Sequence, residues 1–331
     1  MGLNDTKYLY ASSNIRASEG AISYRERLNK FLECKSVDEL YEALSMSANE
    51  SPSSKKEAIE AYLNKRLDDA FNLVTKVSPA EHIYDFLKYE YDCCNLKLAI
   101  KCLIKDIELT PDMVYNNGSV NILPLLDDIK EGKYNAFPQN MANGAAQARE
   151  IYAKTKNPRD IDVILDKACF EDMLKNAEVT GCELFVKIVK TRIDKANVLT
   201  FARIASSSFT DKERLLCEVL INGGYIPKDT FIKNIENYDG NLDSILLGTK
   251  YSGILSTLGA NYTLGDIEKL FEDTFLSLVK NTAFIPFGAE IPCAYLIKTT
   301  YEIKNIRIIL AGISSSLPQE KIRERVRFGY V

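Results

Sequence analysis

A short pattern recurs three times along this 331-residue chain: an acid, two further residues, an asparagine, then helix-forming apolar side chains. The copies are Asp92-Cys93-Cys94-Asn95-Leu96-Lys97, Asp194-Lys195-Ala196-Asn197-Val198-Leu199 and Glu302-Ile303-Lys304-Asn305-Ile306-Arg307, and their asparagines fall at nearly equal intervals. The ground before each copy repeats as well. Ile59-Glu60, Ile161-Asp162 and Ile267-Glu268 open similar helices, with Leu63, Leu165 and Phe271 four residues on. The step from isoleucine to asparagine is identical in the first two copies and only two positions longer in the third. Two landmarks held at nearly constant separation define a repeat, and a repeat constrains the fold more than any local propensity. Three copies of one module are expected, over 1–118, 119–224 and 225–331, with helices exchanged across the boundaries.

The modules read as helical. Lys55–Lys76 carries Ala58, Ile59, Tyr62, Leu63, Leu67, Ala70, Phe71 and Val74 at three- and four-residue spacing, a single apolar stripe. Breakers separate such runs: Ser51-Pro52, Thr110-Pro111, Asn117-Gly118, Asn157-Pro158, Asn222-Gly223-Gly224, Pro286-Phe287-Gly288 and Leu317-Pro318. Alternating strand patterns closed by Asn-Gly or Asp-Gly turns are missing. The expected fold class is all-α. Near the start, Ser13-Asn14-Ile15-Arg16 echoes Asn305-Ile306-Arg307. The chain is therefore expected to open half-way through a module and to close with the complementary half. Its termini would then be adjacent, and the three modules would form a closed pseudo-threefold arrangement instead of an open solenoid.

Composition narrows the function. A net charge of −4 disfavours a nucleic-acid binder that relies on a basic surface. No run approaches the roughly 18 apolar residues of a membrane span, and a signal-peptide core is lacking, so a soluble chain is expected. The eight cysteines include no CxxC pair and read as reduced thiols of a cytosolic protein. His82 is the one histidine, which leaves little for zinc or for a nucleophile–histidine dyad. Gly248-Thr249-Lys250 lacks the spacing of a phosphate-binding loop.

The motif itself admits two readings. On a helix, residues i and i+3 share a face, so each acid sits beside its asparagine. Three carboxylates, Asp92, Asp194 and Glu302, are conceivable as proton donors or metal ligands. The stronger reading is structural: an asparagine that adopts left-handed geometry, or one that bonds backbone at a helix junction, recurs because every module has the same bend. Asn95, Asn197 and Asn305 are placed in that role, and no catalytic, cofactor or metal residues are assigned. The basic tail Lys321-Ile322-Arg323-Glu324-Arg325-Val326-Arg327 reads as a solvated helix face. Gly144-Ala145-Ala146-Gln147 fits either a close helix approach or a loop.

These residues carry a family resemblance. Ala294-Tyr295-Leu296-Ile297-Lys298, Glu302-Ile303-Lys304-Asn305-Ile306-Arg307, Gly312 and Ile322-Arg323-Glu324-Arg325 resemble the C-terminal tract of the C subunit of the A/V-type ATPases, the family that includes the d subunit of the vacuolar ATPase. The weaker Asp92/Asn95 and Asp194/Asn197 copies and the tyrosine-rich N-terminal helix ending at Arg16 also look like it. Thr299-Thr300 departs from the Lys-Glu that the family often has there. The resemblance implies an all-α funnel of three related domains with no active site. It also implies a rotor position on the cytoplasmic face of the membrane, between the proteolipid ring and the D and F subunits of the central stalk. The machine it implies couples ion transport to ATP hydrolysis or synthesis. A stand-alone helical-repeat scaffold is the competing reading, and an enzyme using the three carboxylates is a third.

Overall fold

The computed structural model describes residues 5–19, 24–45, 54–255 and 262–327. Among them every regular element is helical. In chain order these are α1 (Leu9–Ser18), α2 (Tyr24–Glu33), α3 (Val37–Ala43), α4 (Lys55–Val77), α5 (Tyr89–Lys105), α6 (Leu126–Lys130), α7 (Gln139–Thr155) and α8 (Pro158–Thr180). There follow α9 (Glu183–Ala205), α10 (Lys212–Val219), α11 (Lys228–Asn234), α12 (Asp243–Leu246), α13 (Ser252–Leu255), α14 (Leu264–Lys280), α15 (Glu290–Ser314) and α16 (Gln319–Arg325). The all-α expectation holds.

Local sequence sets the helix ends. Ser54 caps α4 by accepting from the Glu57 amide at 3.2 Å, and burial then follows the predicted stripe, with Ala58, Ile59, Leu63, Leu67, Ala70, Phe71 and Val74 all inside. Asn157 caps α8 with Pro158 in its first turn, and Gly181 ends it at φ +71°. This is the expected asymmetry of proline at the start and glycine past the end. The N-terminal Pro138 of α7 offers no side-chain cap. That task falls to Asp172 on α8, whose carboxylate accepts from the Asn140 and Met141 amides at 3.1 and 2.8 Å.

The chain divides into two compact units. The first, His82–Phe271, holds α5 to α13 and the start of α14. Here α7 lies along α8, and Gly144 is the point of close approach: a Cβ added there would stand 3.0 Å from Ala168 Cβ. The glycine left open by sequence thus belongs to a helix contact. Later in this unit Phe201, Leu216, Phe231, Leu246, Tyr251 and Phe271 fill one buried cluster.

The second unit joins Leu3–Glu81 to Glu272–Val331. Its centre is α15, which packs on α1, α2, α3 and α4. Ser12 accepts from the Gly288 amide at 3.3 Å, and Gln319 donates to the Glu33 carbonyl at 3.2 Å. Within this unit, early and late segments of the chain therefore share one core. Of the basic tail, Lys321, Arg323 and Arg325 are exposed, as expected for a solvated face. Arg327 differs: its guanidinium pairs with the largely buried Glu272.

Candidate functional site

The three motifs fall on α5, where Asp92 stands in the first turn, and in the interiors of α9 and α15. All six motif residues are buried. Since the asparagines lie mid-helix, their role is not the left-handed bend that one sequence reading allowed. Each side-chain amide instead closes on the backbone of one residue in a later segment. Asn95 donates to the Tyr115 carbonyl and accepts from the Tyr115 amide, both at 2.8 Å. Asn197 does the same with Ile221, both at 2.9 Å. Asn305 does it with Arg327, again both at 2.9 Å. A primary amide carries a donor and an acceptor side by side, so one asparagine satisfies both backbone polar groups of a loop residue that has left the helix.

The acids grip a second point. Asp92 accepts from the Ser119 and Val120 amides at 3.1 and 3.0 Å and from the Ser119 hydroxyl at 2.5 Å. Asp194 accepts from the Tyr225 and Ile226 amides at 3.1 and 3.0 Å and from the Tyr251 hydroxyl at 2.7 Å. Both carboxyls titrate above the usual range, since burial outweighs the hydrogen bonds that favour the charged form. Backbone can come this close only because a glycine precedes each amide pair. A Cβ on Gly118 would lie 2.2 Å from Asp92 Oδ1, and one on Gly224 would lie 2.2 Å from Asp194 Oδ1.

The third copy keeps the asparagine clasp and changes the acid. Glu302, one methylene longer, accepts from Arg66 Nη2 at 2.6 Å and from Arg27 Nε at 3.2 Å. In the first two copies the acid holds backbone amides, and in the third it holds two cations from α2 and α4.

The Ile-acid helices take part in a parallel pattern. Cations near the motif on α5, Lys97 and Lys101, pair with Asp166 and Asp162 on α8. Lys195 on α9 pairs with Glu268 at 3.1 Å. Arg307 on α15 pairs with Glu60 on α4 at 2.9 Å and donates to Asn64 at 2.6 Å. Asp162, Glu268 and Glu60 are each the residue after the landmark isoleucine.

Sequence reasoning identified the six gripping residues and missed what they grip. The signal was present: Gly118-Ser119-Val120 and Gly224-Tyr225-Ile226 share a pattern, and Gly329-Tyr330-Val331 repeats it outside the described residues. Elsewhere His82 is exposed and its ring pairs with Asp85 at 2.6 Å. Among the described residues no group of three His, Cys, Asp or Glu side chains is placed to hold a metal, and no helix is long and apolar enough to cross a membrane.

Comparison with known proteins identifies the family. The model of the ATP synthase (C/AC39) subunit family matches residues 11–325, so the chain belongs to that family. Among relatives, the V-type sodium ATPase C subunit of Enterococcus hirae is 23% identical over 325 residues, covering 96% of this chain and 97% of the relative. The A-type ATP synthase C subunit of Thermococcus kodakarensis is also 23% identical, over 97% of this chain and 90% of its own length. That of Methanocaldococcus jannaschii is 23% identical over 96% and 85%.

Proposed function

We propose that the chain is a non-catalytic rotor subunit of an A/V-type ATPase. It would act as a socket between the D and F subunits of the central stalk and the proteolipid ring, on the cytoplasmic face of the membrane. The observation that carries this reading is the end-to-end family match over residues 11–325, which supports a stalk or rotor role in general. The geometry of the motif agrees with it. Asp92 and Asp194, with all three asparagines, are occupied by backbone partners, and Glu302 by two arginines. The six residues are accordingly read as structural.

Three modules, over 1–118, 119–224 and 225–331, arranged as a pseudo-threefold funnel, are part of the proposal. The order of the ion pairs supports it. The motif helix of the first copy pairs with the Ile-acid helix of the second, that of the second with the third, and that of the third with the first. Such an order closes a repeat on itself and leaves no terminal copy to be capped, unlike an open solenoid. Packed helices of this kind transmit strain with little loss, as a coupling between shaft and ring requires.

The test is isolation of the native complex from membranes through a tag on this chain. The D and F subunits and the proteolipid are expected to co-purify. Recovery of the chain free of all three would overturn the rotor reading and leave the stand-alone scaffold.

A further inference from the structure

Cys93 on α5 and Cys169 on α8 are 2% and 3% exposed and sit at the contact between these two helices. The Cys93 thiol donates to the Leu165 carbonyl at 3.4 Å, and the Cys169 thiol donates to the Tyr89 carbonyl at 3.4 Å. Leu165 is one helical turn before Cys169, and Tyr89 is one turn before Cys93, so the two bonds are reciprocal across the helix pair. Each sulfur thus reaches the other helix's backbone one turn before the facing cysteine. All eight cysteines are free.

The repeat does not require sulfur here. Ile303 and Leu67 hold the corresponding positions on α15 and α4, one residue after the motif acid and eight after the landmark isoleucine, and both are buried. On α15 and α4 this register is filled by ordinary apolar side chains.

We propose that Cys93 and Cys169 are an oxidation site: a thiol pair that a peroxide converts to a disulfide linking α5 to α8. In the first step the peroxide O–O bond breaks, one sulfur gains oxygen as a sulfenic acid, and water leaves. In the second, the other sulfur attacks the sulfenic sulfur, the S–S bond forms, the S–O bond breaks and a second water leaves. Two thiols and one hydrogen peroxide thus yield one disulfide and two waters, with two electrons passing from sulfur to oxygen. The neighbouring thiol and burial hold Cys169 well above the ordinary thiol range, which keeps that thiol protonated and slows its reaction relative to an exposed thiolate. The link would join the motif helix of the first copy to the Ile-acid helix of the second, at the interface already held by Lys97–Asp166 and Lys101–Asp162.

The test uses the folded full-length protein. Its exposed thiols, Cys94 and Cys217, are first blocked with iodoacetamide under native conditions, and excess hydrogen peroxide follows. Tryptic digestion without reductant is expected to yield the peptide of residues 89–97, alkylated at Cys94, joined through Cys93 to the peptide of residues 168–175. Dithiothreitol should separate them, and the oxidised protein should unfold at higher urea than the reduced one. The Cys169→Ala variant should lose the linked peptide. Should folding fail in that variant, the wild-type digest still decides. Oxidation of either thiol to sulfinic acid without linkage, or linkage of Cys169 to another cysteine, would overturn the proposal.

Discussion

The asparagine clasp makes a quantitative prediction at Asn197. Its amide alone holds both backbone polar groups of Ile221, at 2.9 Å each, and Ile221 is 7% exposed. Asn197→Ala would leave a buried N–H and a buried C=O unpaired. Each orphaned group costs about 1–3 kcal/mol. Alanine returns roughly half a kcal/mol of helix propensity at an interior position. The expected net loss is about 2–5 kcal/mol. Unfolding entropy of about 2.1 cal/mol/K per residue over the whole of His82–Phe271 gives about 0.4 kcal/mol/K. The melting midpoint of this unit should therefore fall by roughly 5–12 °C. Urea denaturation followed by circular dichroism measures the free energy. Hydrogen exchange adds a local readout, because the Ile221 amide should lose protection in the variant ahead of its neighbours. A loss well below the penalty for even one orphaned group, with Ile221 still protected, would refute the claim that the amide is the partner of the Ile221 backbone.

Three further outcomes follow from the same geometry. Gly224→Ala should cost about 1–3 kcal/mol through overpacking, because its Cβ would stand 2.2 Å from Asp194 Oδ1, whereas Gly265→Ala meets ordinary contact at 3.5 Å and should be near neutral. Equal melting curves for the two variants would contradict the close-approach argument. The pH dependence of Asp194 has a definite sign. Its native carboxyl keeps a proton to higher pH than the unfolded value of about 4, so the native chain binds more protons in that window and stability falls as pH rises through it. Asp194→Asn should flatten that fall in urea midpoints taken between about pH 4 and 7, and a steeper fall in the variant would count against it. Lys250, with its ammonium 3.6 Å from the centroid of the Tyr225 ring, is lowered to about 8 by burial, with Lys187 adding to the shift and Asp194 opposing it. Since the unfolded chain binds the extra proton, stability should rise between pH 8 and about 10. NMR titration of 13C-methylated lysines should show one resonance moving near pH 8, and its absence would reject the assignment.

Much of the fold was legible because periodicity and punctuation are local. The α4 stripe, the Asn157-Pro158 start of α8 and the Leu317-Pro318 break before α16 all follow from residues within a few positions of one another. The six gripping residues were legible through recurrence alone. Their partners were not, because Asn95 reaches 20 residues ahead, Asn197 reaches 24 and Asn305 reaches 22, distances that no helical period encodes. Gly118 and Gly224 were visible as breakers, yet their purpose depends on Asp92 and Asp194, each set back by the rest of its helix and the loop that follows. The acid exchange at Glu302 stood in plain view, and only its partners Arg27 and Arg66 give it a meaning.

That exchange bears on how the repeat diverged. An aspartate side chain is short enough to meet two consecutive amides when a glycine lets the backbone approach, as at Gly118 and Gly224. The extra methylene of Glu302 moves the carboxylate outward, to where guanidinium groups from Arg27 on α2 and Arg66 on α4 can reach it. Guanidinium–carboxylate contacts are charge-assisted and directional, so they fix helix against helix where the amide contacts fix loop against helix. Glu302→Asp is thus the informative substitution: the shorter acid withdraws from both arginines and leaves two partly buried cations. Burial alone would lower the Arg66 guanidinium, and the Glu302 charge is the chief influence that instead holds it above its ordinary value. Losing that charge contact should cost about 2–4 kcal/mol, below the full penalty for a buried pair because both arginines retain some solvent. The matching change, Asp194→Glu, should also destabilise, there by overpacking against the Gly224 backbone. If Glu302→Asp were neutral in urea denaturation, the third acid would be a tolerated variant of the first two, and the division between loop clasp and helix clasp would fall.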